Sequence, residues 1–469
     1  MSGLAGGPST SAPVRPAPGP GPADPADLAE VERALLARWP ENRLEPSLDR
    51  IRAVVAALDH PQRALPVVHV TGTNGKTTTA SMIDGLLRAS GLSVGRFTSP
   101  HLESVRERIV VDGEPVDEAR FVEVYRLVRP ALERVDRAGA VPVSFFEAIT
   151  AMAVVAFVGA GVDVAVVEVG MGGSWDATNV LDGEVAVLTP IALDHTEYLG
   201  PDEVAIAGEK AGIIKAGATA VLAAQLPEVE RVVHRRASGV GARVRAAADA
   251  VELVARAADP DGQTLHLRTG SVDLPGLRLP LLGAHQGENA RVAMAAVEEF
   301  LARRDAGLDP AAVRRALAAV VAPGRLEVVR RDPPVLVDAS HNPHGMAVTA
   351  AALAEARPAT RLAVVLAVLE GKDATGMLEA LRGCADLVVV TTNGSPRCTR
   401  PADLAGVARE VLGADRVLVE PHLAAALDRA LRWARPGGAG DRPGVLVTGS
   451  VVTAGHARTL LRGHPGDHW

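Results

Sequence analysis

Cysteine is nearly absent from this chain: Cys384 and Cys398 are the two in 469 residues, too few for a disulfide scaffold and in keeping with ordinary reduced thiols of a cytoplasmic protein. No zinc-type spacing occurs. Aromatic residues make up 3% of the sequence, which argues against a base-stacking surface. The net charge of −7, with a pI near 6.0, argues against the basic face that a nucleic-acid binder relies on. The longest apolar run, residues 148–162, falls short of the roughly 20 residues a membrane span requires, and it contains Thr150 and two glycines. A buried helix is the expectation there. The first 25 residues are mostly Ser, Ala, Gly and Pro with one basic residue, Arg15, and lack the apolar core and basic start of a signal peptide. They read as a disordered tail.

Lysine is scarce as well. Of 49 basic residues, four are lysine: Lys76, Lys210, Lys215 and Lys372. An arginine-rich composition accounts for the scarcity, yet Lys76 and Lys210 fall in motifs where a compact, deprotonatable amine does what a guanidinium cannot.

What is present begins with Val67-Val68-His69-Val70-Thr71-Gly72-Thr73-Asn74-Gly75-Lys76-Thr77-Thr78, a strand, a glycine-rich turn and a helix start in succession. Gly72 and Gly75 let backbone N–H groups crowd around phosphate oxygens, the helix from about residue 77 to 90 adds its positive end, and Lys76 adds a point charge. The expected ligand is ATP, contacted by Thr73, Asn74, Gly75, Lys76 and Thr77, with the Thr77 hydroxyl on the accompanying Mg2+. A regular P-loop has a further glycine where this chain has Val70, so the loop is a shorter variant.

The length suggests two or three domains. Helical periodicity over residues 27–38 is followed, past Pro46, by a second helix and then by the phosphate-loop strand. Valine-rich strands at 93–98, 163–169, 185–190 and 219–223 alternate with helices near 118–137, 145–158 and 203–214, which implies a parallel sheet covered on both faces. Residues 240–282 change to short alternating segments, a small antiparallel excursion, before helices at 287–303 and 310–320. Ala322-Pro323-Gly324 marks a boundary, and strands at 334–338, 361–367, 386–391, 416–419 and 444–448 alternate with helices in a second open unit. The expected fold is α/β: a P-loop-type parallel-sheet domain flanked by helices over residues 26–322, then a smaller open α/β domain over 323–469, meeting at a ligand cleft.

Polar residues collect at the carboxyl ends of the first set of strands, the edge that faces ligands in an open α/β sheet. Ser99 and His101 follow the strand at 93–98, Glu168 ends the next, and Asp194 and His195 lie past the strand that ends at Pro190. Hard oxygens with one imidazole suit Mg2+. A capping or ion-paired Glu168 and an incidental loop His195 are the plainer alternatives.

Together these segments resemble folylpolyglutamate synthase, in bacteria often combined with dihydrofolate synthase in one enzyme of the Mur ligase superfamily. The resemblance covers about residues 40–460. It rests on Thr71-Gly72-Thr73-Asn74-Gly75-Lys76, Thr98-Ser99-Pro100-His101-Leu102, Ser144-Phe145-Phe146-Glu147, Asp176-Ala177-Thr178-Asn179, Leu193-Asp194-His195 and Glu209-Lys210-Ala211-Gly212-Ile213. In the second half it rests on Pro323-Gly324-Arg325-Leu326-Glu327 and Asp338-Ala339-Ser340-His341-Asn342-Pro343. The phosphate loop alone also fits cell-wall ligases that add amino acids to a UDP-linked peptide; the Ser-Pro-His-Leu, Asp-Ala-Thr-Asn and His-Asn-Pro segments point to the folate branch.

The resemblance implies ligation: ATP phosphorylates a carboxylate of dihydropteroate or a reduced folate, and L-glutamate attacks the acyl phosphate. It implies Thr77, Ser99, Glu168 and His195 as Mg2+ ligands, and Asn289, Arg325 and Asp338 as the remainder of the ATP site. Leu44, Glu45, Pro46, Ser144, Phe145, Phe146, Glu147, Trp175, Asp176 and Ala177 would lie near the pterin, with His341 and Ser450 holding the incoming glutamate. Lys76, Lys210, Arg325 and His341 would carry the chemistry. Lys210 would be carbamylated and help hold a second Mg2+; an unmodified Lys210 pairing with Glu209 or another acid is the alternative. A monovalent cation and a monomer are further expectations, with the oligomeric state left open, and charge and apolar-run length speak against nucleic-acid or membrane partners. Where the family usually has arginine after Gly172-Gly173, this chain has Ser174. A UDP-acceptor ligase and a nucleotide switch that never ligates remain open, although a switch has no need of His341, Asn342 or Ser450.

Overall fold

The structure is a computed structural model that describes residues 25–39, 45–435, 437–438 and 440–462. The expected tail, apart from Pro25, and the acceptor residue Leu44 lie outside the described residues.

Strand β1 (Val67–Thr71) is buried along its whole length, and its β-branched residues feed two cores. Val68 and Val70 pack with the helices Lys76–Ala89 and Ala284–Ala302, whereas Val67 packs with the helices Glu118–Ala138 and Phe145–Ala160. Burial on both faces is the reason the strands read as continuous apolar runs rather than alternating ones. The helix Phe145–Ala160 is the apolar run noted above; it ends at Gly161 in the left-handed conformation. Among the described residues no helix is long and apolar enough to cross a membrane.

Parallel to β1 run β2 (Val94–Phe97), β5 (Val164–Glu168), β6 (Gly183–Leu188), β7 (Thr219–Leu222) and β8 (Arg243–Ala246). The antiparallel pair β3 (Ile109–Val111) and β4 (Glu114–Pro115) extends one edge, so the order is β4-β3-β2-β5-β1-β6-β7-β8. The antiparallel excursion starts later than expected. Residues 243–246 belong to the parallel sheet, and only β9 (Glu252–Asp259), β10 (Gly262–Arg268) and β11 (Asp273–Leu279) form the small antiparallel sheet. The cause is position: β8 is an edge strand that carries Arg243 and Arg245 and so lacks the valine run of its neighbours. The helix Pro227–Val240, opened by Pro227 and closed by Gly241, also goes beyond the expected elements.

The second sheet has the order β12-β13-β17-β14-β15-β16, built from β12 (Glu327–Arg331), β13 (Pro334–Val337), β14 (Arg361–Leu366), β15 (Leu387–Val390), β16 (Val417–Val419) and β17 (Pro443–Thr448). All pairs are parallel except β12–β13, and apolar clusters cover both faces. The five parallel strands match the expectation within one or two residues; β12, an arginine-bearing edge, does not announce itself in the sequence.

Candidate active site

The phosphate loop is shaped by two glycines with no room for a side chain. At Gly72, φ is +146° and a Cβ would fall 1.9 Å from the Thr189 Oγ1; at Gly75, φ is +84° and a Cβ would fall 2.6 Å from the Asn289 Oδ1. The loop is braced from β6's end: the Thr73 N–H donates to the Pro190 carbonyl at 2.9 Å and the Thr73 hydroxyl to Ala192 O at 3.0 Å. Gly75 then caps the helix Lys76–Ala89, whose free N–H groups face the loop. The Lys76 ammonium lies back over the loop, 3.2 Å from both Gly72 O and Thr73 O.

Glu168, at the end of β5, is buried beside this helix start. Its Oε1 accepts from the Thr77 hydroxyl at 3.0 Å and its Oε2 from the Ser99 backbone N–H at 3.3 Å. Burial pushes its pKa up, while Lys76, those two hydrogen bonds and Arg325 oppose the rise. A carboxylate and a hydroxyl at 3.0 Å on the rim of a phosphate loop fit Mg2+, which takes one or two carboxylates and draws its other oxygens from phosphate and water. No gathering of three acidic, imidazole or thiol groups is found among the described residues, and such an ion needs none.

His195 lies on the loop beyond β6. It opens the short helix Thr196–Leu199 with φ +48°, and its Nε2 is 3.7 Å from the Asp194 Oδ2. Burial lowers its pKa, as do Lys372, Lys76 and His341, against the pull of Asp194. For Asp194 itself burial acts upward, but His195, His341, Lys372 and Lys76 together bring it below the usual carboxylate range.

Lys210, at the end of the helix Glu203–Lys210, is buried and donates to Gly72 O at 2.8 Å, the carbonyl that Lys76 also uses. Burial and then the Lys76 charge lower its pKa to about 7. Glu209 forms no ion pair with it: the Glu209 Oε1 accepts from the Gly173 and Trp175 N–H groups, both at 3.3 Å. Ser174 takes part in the same packing, its hydroxyl donating to Glu209 O at 3.0 Å.

The expected acceptor residues are held largely by their own hydrogen bonds. Ser144 and Glu147 form a capping box on the helix Phe145–Ala160, and both Glu147 oxygens also take the Arg50 Nε, at 3.0 and 3.1 Å. Arg50 in turn donates to Glu45 O at 2.8 Å, so Glu45 and Pro46 are tethered to the same helix start. The Phe145 ring is core, with the Arg108 guanidinium 4.9 Å from its centroid, while the Phe146 ring fills the space left by Gly170. Asp176 is buried and accepts from Met171 N at 3.0 Å and from the Thr178 hydroxyl at 2.5 Å; burial raises its pKa. Trp175 and Ala177 flank it. The Thr178 hydroxyl meets the Nε2 of His69, which burial, with Lys215, holds neutral with a pKa of about 3.

The second sheet presents its own edge to the phosphate loop. Asp338 directly follows β13, and its carboxylate is engaged by Leu326 N at 2.9 Å, Ser340 N at 3.0 Å and the Thr349 hydroxyl at 3.0 Å, which holds the Arg325–Leu326 turn in place. Arg325 lies within electrostatic reach of Glu168, His285 and His341. His341 is set by a 3.1 Å contact of its Nδ1 with Ala339 O, and burial lowers its pKa. Asn342 caps the helix Pro343–Ala356. Ser450 is 1% exposed, and its hydroxyl is shared by the Asn393 Nδ2 at 3.0 Å and the Thr453 hydroxyl at 2.7 Å. Asn289 donates to the Gln286 Oε1 at 2.9 Å and lies against Gly75.

The structure thus brings Lys76, Thr77, Ser99, Glu168, Lys210, Asn289 and Arg325 around one loop, with His195 and His341 both within electrostatic reach of Asp194. The sequence reading missed His344, whose Nδ1 is 3.5 Å from the Asn74 Nδ2, and gave no role to Lys372, which acts on Asp194, His195 and His341. The scarcity of lysine was the one signal for Lys372; His344 had none beyond following Asn342-Pro343.

Comparison with known proteins identifies the family. The Mur ligase middle domain family matches residues 70–297, and the Mur ligase glutamate ligase domain family matches residues 324–451. A dihydrofolate synthase/folylpolyglutamate synthase of Mycobacterium tuberculosis is 45% identical, with 95% of this chain and 96% of that protein covered. The folylpolyglutamate synthase of the same organism, solved with ADP and AMPPCP, superposes with a TM-score of 0.86 at 44% identity over 94% of this chain and 99% of that one. Escherichia coli FolC, solved with DHPP and ADP, gives 0.80 at 28% identity, covering 94% and 99%. The chain belongs to the folylpolyglutamate synthase/dihydrofolate synthase family of the Mur ligase superfamily.

Proposed function

We infer that this protein is an ATP-dependent carboxylate–amine ligase that adds L-glutamate to dihydropteroate, to the glutamate tail of reduced folates, or to both. The observation that carries the reading is the near full-length likeness to enzymes of that activity, joined to a phosphate loop whose lysine, hydroxyl and carboxylate stand together. Its division into residues 26–322 and 323–469 follows the turn at Ala322-Pro323-Gly324, from which Arg325 reaches toward Glu168.

A carboxylate is a poor electrophile, and two anions, the γ-phosphate and the acceptor carboxylate, must meet. Lys76, the N–H groups of the helix start at Gly75 and Arg325 offset that repulsion and stabilise the transferring phosphoryl group. Thr77, Glu168, Ser99 and His195 would hold Mg2+, which supplies further charge neutralisation when bound. The acyl phosphate is then attacked by the glutamate amine, with His341 and Ser450 orienting the amino acid. Asn289 borders the nucleotide beside Gly75, and Asp338 acts by holding the Arg325 turn. Glu45, Pro46, Ser144, Phe145, Phe146, Glu147, Trp175, Asp176 and Ala177 shape the acceptor side. At a pKa of about 7 a good share of Lys210 is neutral amine, the form that captures CO2, which supports its carbamylation and a second Mg2+.

The test is an ATP-coupled assay with dihydropteroate and tetrahydrofolate offered separately. Phosphate release that requires both glutamate and a pteroyl acceptor is expected; release that needs neither, or that follows a UDP-linked acceptor, would overturn the reading.

A further inference from the structure

Three segments that carry the proposed chemistry converge on one buried side chain. Glu103 follows Leu102 in the loop that begins at Ser99; Glu327 opens β12, two residues after Arg325; and Arg458 lies on the helix Val451–Arg462, which Ser450 precedes. The Arg458 guanidinium is 5% exposed and bridges the two acids. Its Nη1 is 3.2 Å from the Glu103 Oε2, its Nη2 donates to the Glu327 Oε1 at 3.2 Å, and its Nε is 2.8 Å from the Glu327 Oε2. Arg462 brackets the same pair from the rim, at 3.3 Å from Glu103 and 3.8 Å from Glu327. Glu327 passes the constraint onward, because its Oε2 also accepts from Gly324 N at 2.8 Å, inside the turn that presents Arg325.

The backbone is fitted to the same junction. Gly455, one turn before Arg458, lies so close to the Ser99 loop that a Cβ there would fall 2.1 Å from Leu102 O. The Leu102 side chain covers Gly324, where a Cβ would stand 3.1 Å from its Cδ1. A charge buried this deeply is retained only with counter-charges beside it, and a planar fork is the group able to serve two carboxylates at fixed spacing.

We propose that Arg458 is a positioning residue: by gripping Glu103 and Glu327 together, with Gly455 setting the approach, it fixes the Ser99 loop of the first sheet against the Arg325 turn of the second. The inference rests on the ligase reading, since what it aligns are the phosphate-side and closing-side groups of that reaction. Near-attack geometry is sensitive at this scale; a misplacement of about 1 Å costs on the order of a hundredfold in rate.

The experiment compares the parent chain with Arg458→Gln, Gly455→Ala and Glu103→Gln, measuring kcat, KM for ATP and for glutamate, and thermal melting. Gly455→Ala leaves every charge in place and acts by displacement alone, and Glu103→Gln alters the more exposed acid, so the inference is tested even if Arg458→Gln does not fold. Expected are kcat losses of roughly 10- to 100-fold for Arg458→Gln and Gly455→Ala and a smaller loss for Glu103→Gln, with both KM values held within about twofold. Arg458→Lys, which keeps the charge without the fork, should restore part of the loss. An active parent with folded variants whose kcat stays within about twofold would overturn the inference, as would losses that track melting alone. A parent that fails to ligate glutamate would instead overturn the ligase reading.

Discussion

The ligand-facing edges of the two sheets are built on opposite plans. On the first, charged groups are gathered with few partners of their own: Lys76 and Lys210 share one carbonyl, and Glu168 meets one hydroxyl and one distant N–H. On the second, polar groups close on one another, Asp338 with Leu326, Ser340 and Thr349, and Asn393 with Ser450 and Thr453. In the proposed reading the first edge keeps its charge available for a phosphate, whereas the second uses its hydrogen bonds to hold the turn that carries Arg325.

The sharpest way to break this contrast is Lys76→Ala. Removing one preorganised charge at the transferring group costs on the order of 2.7–4 kcal/mol, so ligation should fall at least about a hundredfold while the melting temperature holds; full activity with ordinary Mg2+ dependence would refute the assignment. Glu168→Gln comes next, with an expected drop of about a hundredfold and a Mg2+ titration displaced to higher concentration. A variant that saturates at the parent's Mg2+ level would place the ion elsewhere. On the second edge the same kind of change should read as shape. Ser450→Ala leaves the Asn393 Nδ2 its Thr453 partner, so a stability loss of about 1 kcal/mol is expected together with a raised KM for glutamate and an unaltered KM for ATP. Equal effects on both substrates would erase the distinction.

A further prediction concerns pH. Lys210 has a pKa lowered from 10.5 to about 7 in the fold, so as pH falls from 10.5 the unfolded chain binds the proton first. Its contribution is therefore to weaken the folded state progressively down to about pH 7, with no further change below. Denaturant titrations of Lys210→Met across that window should show a flatter pH dependence than the parent; identical slopes would mean that the amine is not buried as described.

Much of the first edge was legible because its chemistry is local. Gly72, Gly75, Lys76 and Thr77 are contiguous, and a valine-rich strand before them with a helix after leaves few other uses for the pattern. The parallel strands were legible for the same reason that they are buried. Hidden from the sequence were β8 and β12, edge strands dressed with arginine, and β3–β4, whose turn at Asp112-Gly113 joins segments of three and two residues. Also hidden were the internal uses of Glu147, Asp338 and Ser450, because a polar residue at a strand or helix end serves a cap, a turn or a ligand in the same letters. Residues that act across the two halves, such as His344 on Asn74 or Arg458 on Glu103, have no motif, since their partners lie more than two hundred residues away.

Two ammonium groups resting on the single carbonyl of Gly72 have a consequence for how nucleotide arrives. An entering polyanion makes that crowding favourable and draws the Lys210 amine back toward its charged form, so near neutral pH the bare enzyme should take up a proton as it takes up ATP. Calorimetry in buffers of different ionisation enthalpy reads this directly: the apparent binding heat should vary with the buffer for unmodified enzyme, and the variation should vanish in Lys210→Met.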